Sequence, residues 1–313
     1  MKKISVMIAF VCNPYPAVLL KRTYDKCWKD EVDEVLINVN GRNDLIRNFI
    51  IDLWKDDDKV SFVDDVPSEI RQGAAFDRLY PKVTGQVLMT LDSDTYIYRK
   101  GSVSKHRDMI LNKQYDAIGS TGLHAYPVSI AVMCQNKYGT VRLNPFMSFW
   151  RKDVIDKINK DGFTFGTFNY NAGEEFLPLG KLPETGWMDV MAKFSLDYFH
   201  FAKKFLAIRQ TNDNEYVHMS TISSLYRRKF RSLEDENTQK HTKVALFPWQ
   251  SAGYWMNCYL LYDMTHKEVP FKNYNKEFYA GFEDYTAEMK LSLGTIRRMV
   301  EDFKLRHKGL FEL

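Results

Sequence analysis

The chain has 313 residues, 45% hydrophobic and 27% charged, which is the make-up of an ordinary globular protein with room for one large α/β domain plus an extension, or for two domains. No stretch approaches the ~20 consecutive apolar residues of a membrane helix, and a formal net charge of +4 is too small to establish nucleic-acid binding, although it permits it. Cys12, Cys27, Cys134 and Cys258 form no C-x-x-C pair, which argues against structural zinc, a disulfide framework and a nucleophilic thiol alike.

Met1-Lys2-Lys3-Ile4 looks like the charged start of a signal peptide. However, Ile4–Val11 is short and runs into Asn13-Pro14 with no small-residue cleavage site, so it reads as a first strand and a cytoplasmic location is expected, in a bacterial cell or a virus-infected host. Pro14 and Pro16 suit a helix start. The helix is predicted over Ala17–Lys29, with Leu20, Tyr24 and Cys27 at helical spacing. A second strand follows at Val35–Val39, ending in Asn40-Gly41. Next comes an amphipathic helix over Asp44–Lys55, with Leu45, Phe49 and Leu53 at i+4, then a short strand at Val60–Val63 and a helix over Pro67–Tyr80 capped near Ser68. Val87–Leu91 is a continuous apolar run, as expected of a strand covered on both faces. This β-α-β-α-β-α-β order predicts a parallel sheet with right-handed crossovers.

Beyond it the spacing predicts a helix ending near Asn112, strands at Ala117–Gly119 and Asn144–Trp150, and a helix over Lys152–Asn159. Residues 162–186, rich in Gly, Pro, Asn and aromatics, read as loop and site wall. A long helix is expected over Met188–Lys204. Strands are expected at Phe205–Ile208 and Glu215–His218, joined by the turn Asn212-Asp213-Asn214. The charged segment from Arg227 to Lys243 suits a lid. The part from Leu225 onward, with 15 Lys+Arg against 12 Asp+Glu, is mostly helical and aromatic and ends in a helix over Ala287–Arg306. Residues 1–224 are therefore read as one domain and 225–313 as a lid plus helical extension for acceptor or partner contacts.

The chemistry centres on Asp92-Ser93-Asp94, two carboxylates one residue apart at the carboxyl end of a buried strand. Open α/β sheets bind ligands at that end, and oxygen ligands suit Mg²⁺ or Mn²⁺ shared with phosphates. With the N-terminal βα units, Asp189 and His218, this element resembles the GT-A glycosyltransferases, in particular their large inverting family, which includes phage sugar transferases; the likeness runs from Lys3 to about Ser224.

The resemblance implies a nucleotide-binding α/β fold, a nucleoside-diphosphate sugar donor (a UDP-sugar favoured) and a divalent metal, manganese or magnesium, held by Asp92, Asp94 and His218. It implies Asp189 as the base that deprotonates the acceptor hydroxyl, with Glu184 as runner-up. Ala9, Phe10, Val11 and Asn13 would line the nucleotide base, and Asn40 would stand where the family often has an acid. Ser93 would lie in the donor site, and Arg71 or Arg78 would reach phosphate.

Asn169-Tyr170-Asn171-Ala172-Gly173 resembles instead the Asn-x-Gly loop of retaining enzymes, where Asn171 and Gly173 would touch the donor sugar, so inversion is favoured with retention as the alternative. Trp150, Phe163, Phe165, Phe168, Tyr170 and Trp187 are either sugar-stacking rings or ordinary core. The acceptor is read as a glycan or saccharide. The second choice is duplex DNA carrying a hydroxymethylated base, suggested by Arg227–Arg231 and by Arg297, Arg298, Arg306 and Lys308. The competing readings are a catalytically dead nucleotide-sugar-binding module and a haloacid-dehalogenase-like phosphatase; Tyr96 stands where the latter has Thr.

Overall fold

The structure is a computed structural model. It describes residues 3–11, 13–40, 44–63, 72–121, 128–139, 142–158, 163–176, 179–209, 211–219, 248–271 and 293–313. The helix start near Ser68, Arg71, the segment from Arg227 to Lys243 and the 224/225 boundary lie outside these residues. Contacts divide the chain into two compact units. One comprises Met1–Cys12, Trp28–Ser93 and Lys100–Gln210; the other comprises Asn13–Cys27, Asp94–Arg99 and Thr211–Leu313.

The first unit is built on a seven-stranded sheet. Its strands are β1 (Ile4–Val11), β2 (Glu34–Asn40), β3 (Val60–Phe62), β4 (Val87–Asp92), β6 (Ala117–Thr121), β7 (Leu143–Arg151) and β12 (Phe205–Ile208), in the order β12-β6-β7-β4-β1-β2-β3. All neighbours are parallel except β7, which runs antiparallel to both β4 and β6. The α/β class and the mostly parallel sheet expected from the sequence are what this topology shows. β2 and β4 are buried at every residue, which reflects cover on both faces.

The helices of this unit are α2 (Asp44–Trp54), α3 (Gln72–Leu79), α4 (Ser102–Leu111), α5 (Val128–Tyr138), α6 (Lys152–Ile158) and α7 (Ala192–Phe201). α2 buries Ile46, Ile50 and Trp54, not the expected Leu45 stripe. Both stripes are apolar, but only this one brings the Trp54 ring against Phe10, 6.0 Å between centroids, and it leaves Leu45 71% exposed. α3 comes so close to the chain at Phe165-Gly166 that a Cβ on Gly73 would overlap Gly166 Cα and the Phe165 carbonyl.

One core cluster joins Met7, Phe76, Leu88, Trp150, Phe165 and Phe194 among others. Trp150 meets Phe194 at 4.9 Å and Tyr198 at 5.0 Å, both edge to face, and Phe165 lies 4.5 Å from Phe194. These rings are therefore core, as is the buried Tyr170, and not sugar platforms.

Residues 168–176 and 179–188 form short ribbons and not plain loop. β8 (Phe168–Tyr170) pairs antiparallel with β11 (Gly186–Met188), and β9 (Glu175–Phe176) pairs with β10 (Gly180–Lys181). This corrects the helix expected from Met188: that residue is committed to strand pairing, Met191 takes a left-handed φ of +61°, and the helix begins only at Ala192.

The second unit contains α1 (Pro14–Thr23), β5 (Thr95–Ile97), β13 (Tyr216–His218), α8 (Pro248–Thr265), α9 (Leu293–Arg306) and α10 (Lys308–Phe311). Asn13 caps α1 by accepting from the Tyr15 N–H at 3.2 Å; beyond Thr23 the helix widens into a π turn over Tyr24–Trp28. α8 packs on α1, with Tyr262 against Tyr15 at 5.8 Å, and Arg22 donates to the Met264 carbonyl at 3.0 Å and pairs with Glu268. The strands around Asn212–Asn214 do not pair with each other: β12 extends the main sheet, whereas β13 pairs antiparallel with β5. No described helix is long and apolar enough to cross a membrane.

Candidate functional site

The parallel strands bring a row of polar groups to one edge of the sheet. Ala9 is in register with Asn38 on one side and Asp92 on the other, and Val11 with Asn40. Asn38, Asn40, Asp92 and Ser93 are all buried. Buried polar groups are costly unless satisfied, so such a row at a strand end needs partners. Asn38 donates to the Val63 carbonyl at 2.8 Å, and Gln72, at the start of α3, donates through Nε2 to Asp92 Oδ1. Asn144, the second residue of β7, lies at the same edge, 1% exposed, and its side-chain amide meets no hydrogen-bond partner. Sequence reasoning missed Gln72 and Asn144. Gln72 carried a signal in its place one residue before Gly73; Asn144 is polar at the head of an aromatic strand.

After Asp92 the chain turns through Ser93 and Asp94 into β5. The β5–β13 ladder places His218 opposite Thr95, and the Met219 N–H donates to the Asp94 carbonyl at 2.9 Å. This pairing sets His218 Nε2 3.2 Å from Asp94 Oδ1. With Asp92 two residues earlier in the same turn, ligand atoms of Asp92, Asp94 and His218 lie within 4.8 Å of one another. Two carboxylates and an imidazole at that spacing, all withdrawn from solvent, fit a divalent cation: buried like charges repel, and a hard cation offsets them with O and N ligands. The expected metal trio is thus brought together across 126 residues of sequence.

Asp189 stands just beyond β11, ahead of α7. Its Oδ1 accepts from the Val190 N–H at 2.8 Å, and its Oδ2 lies 3.1 Å from Arg142 Nη1. Arg142 is buried and also donates to the Val190 carbonyl at 2.7 Å, so it fixes both the carboxylate and the turn that carries it. No sequence signal marked Arg142, which is 47 residues from Asp189. Glu184 is exposed and accepts from Ser129 Oγ.

Asn171 and Gly173 form a tight turn beyond β8, where the Glu174 side chain accepts from the Asn171 N–H at 2.9 Å and Gly173 has φ +79°. Arg78 is half-buried on α3. Phe10 is committed to the core through Trp54, and Asn13 to its cap; Val11 ends β1. Trp187, in contrast, is 56% exposed.

Burial pushes the Cys134 thiol up to about 12, which leaves it un-ionised and inert as a nucleophile. A cavity of about 550 Å³ lies at the opposite, amino end of β4, against Gly85, Gln86 and Arg151 to Asp153. Arg151 there pairs with Asp116 and Asp153, and Lys152 with Asp156, so the carboxyl-edge acids are the stronger candidate.

No protein-family model and no curated protein matches the chain. Among solved structures it is similar to S. aureus TarS, at TM-score 0.45 and 11% identity over 83% of this chain; it spans 49% of that one, about half its length. Against S. aureus TarS 1-349 in complex with UDP-GlcNAc the TM-score is 0.46, with 13% identity over 97% and 81% of the two chains. Against the mannosyltransferase PcManGT from Pyrobaculum calidifontis, in complex with GDP-Man and Mn²⁺, it is 0.44, with 9% identity over 99% and 86%.

Proposed function

We propose that this chain is a metal-dependent glycosyltransferase that moves a sugar from a nucleoside-diphosphate sugar to an acceptor hydroxyl, with inversion. The observation that carries the reading is the Asp92–Asp94–His218 group at the carboxyl end of β4. A divalent cation held there would neutralise charge on the donor diphosphate without a proton. In the transfer, an acceptor oxygen forms a bond to the anomeric carbon from the face opposite the diphosphate. The bond between that carbon and the phosphate oxygen breaks, and the nucleoside diphosphate leaves with the electron pair. Asp189 takes the acceptor proton, a role that typically supplies ~10²–10⁴ in rate. Arg142 holds its carboxylate in place. Asn38 and Asn40 supply neutral polar groups at the strand edge for the nucleotide, a UDP-sugar by preference.

The test is nucleoside-diphosphate release across a panel of UDP- and GDP-sugars, with Mn²⁺ and with chelator, for the wild type and Asp94→Ala. Turnover of a donor that needs metal and is lost in the variant supports the reading. Turnover that survives both chelation and Asp94→Ala removes it.

A further inference from the structure

A Trp side chain offers one of the largest apolar surfaces a protein has, and one left more than half exposed next to a candidate base calls for a partner. Trp187 is 56% exposed, two residues before Asp189. Its place on the ribbon shows what accompanies it. Gly186 pairs with Tyr170, Trp187 with Asn169 and Met188 with Phe168. Side chains alternate between the faces of a strand, so Tyr170 and Met188 point into the core while Trp187 and Asn169 share the outer face. Continuing the alternation, Thr185 and Asn171 flank that face, and both are exposed. The end of the ribbon is ordered by the Ala172 N–H donating to Thr185 Oγ1 at 2.9 Å.

The outer face is therefore one indole ring bordered by two amides and a hydroxyl, and it leads to the Asp189 carboxylate. That composition matches a saccharide. A pyranose ring presents a flat patch of C–H groups that covers an aromatic ring, with hydroxyls around its rim that need donors and acceptors of the amide kind. It does not match a phosphate backbone: 168–171 and 185–189 contain no Lys or Arg, and the nearby Arg142 is buried and already paired with Asp189.

We propose that the outer face of the β8–β11 ribbon is the acceptor subsite and that the acceptor is a saccharide. Its ring stacks on Trp187, it hydrogen-bonds to Asn169 and Asn171, and it presents a hydroxyl to Asp189. The proposal rests on the glycosyltransferase reading, in which Asp189 is the base.

The test uses the full chain, with UDP and Mn²⁺ present, on a printed glycan array. Wild type is compared with Trp187→Ala, Trp187→Phe and Asn169→Ala, and UDP binding to each is measured in parallel by calorimetry. A Trp in a binding hot spot is worth a loss on the order of 30-fold on truncation. The expected result is glycan binding by the wild type that falls by about that factor in Trp187→Ala, falls less in Trp187→Phe, and is weakened in Asn169→Ala, with UDP affinity unchanged throughout. Glycan binding that Trp187→Ala leaves intact overturns the proposal. So does an array that stays silent while UDP binds, or salt-dependent capture of duplex DNA in its place. Failure of the wild type to bind either UDP or GDP with metal would instead strike the glycosyltransferase reading itself, and the proposal with it.

Discussion

Replacing Arg142 by Met keeps the buried stem and removes the guanidinium that fixes Asp189. Truncating one partner of a fully buried ion pair costs about 3–5 kcal/mol. The Asp189 side chain is 36% exposed, so its carboxylate can recover water once the cation is gone, and the ion-pair share falls to about 1 kcal/mol or less. The other loss is the bond to the Val190 carbonyl at 2.7 Å, and an acceptor left unsatisfied there costs about 1–3 kcal/mol. The expected destabilisation is therefore about 1–4 kcal/mol by urea unfolding. In a double-mutant cycle with Asp189→Asn, the pair should show a coupling of about 1 kcal/mol. A destabilisation within about 0.5 kcal/mol of wild type, the range of an inert surface change, would refute the reasoning, because Arg142 would then hold neither group.

Gly73→Ala should destabilise by about 1–3 kcal/mol in the same assay, because the added methyl overlaps backbone at Phe165-Gly166 that cannot turn aside; unchanged stability would mean that α3 can shift. Gln72→Ala should weaken Mn²⁺ binding by about 10–100-fold while leaving stability nearly unchanged, because Gln72 orients Asp92 and not the core; calorimetric titration with Mn²⁺ reads this. Burial holds His307 below the ordinary histidine value, beside Tyr98 with Nδ1 3.0 Å from the phenol oxygen. The unfolded chain therefore binds more protons in that window. The contribution of His307 to stability is present above about pH 6.5 and is lost as pH falls through the ordinary value towards the lowered one. His307→Gln should flatten this acid-side slope in urea unfolding followed as a function of pH; an unchanged slope would assign it to other groups.

Much of the fold was legible because its central strands carry their own signal. β1, β2 and β4 are mostly apolar, and the sheet buries them. Patterning failed where two answers were locally equal. α2 has two apolar stripes, and only the tertiary contact of Trp54 with Phe10 chooses between them. The stretch after Met188 suits a helix, yet cross-strand pairing with Phe168 claims its start. α5 passed unnoticed because its sequence shows little contrast between faces. For the site, the trio of Asp92, Asp94 and His218 was readable from residue type and order. Gln72 and Arg142 act on Asp92 and Asp189 from 20 and 47 residues away, and local sequence does not encode such contacts. Of the aromatics between 150 and 187, Trp150, Phe165 and Tyr170 went into the core, and only exposure singled out Trp187.

The central claim is that Asp94, with Asp92 and His218, holds a divalent cation for a nucleoside diphosphate. The most direct measurement is calorimetric titration of UDP and GDP into the full chain with Mn²⁺ and with chelator, for wild type and Asp94→Asn. The account predicts that one nucleotide binds only when metal is present and that the variant loses this binding while keeping its thermal unfolding. Nucleotide binding that is indifferent to metal, or that survives Asp94→Asn unchanged, would contradict it.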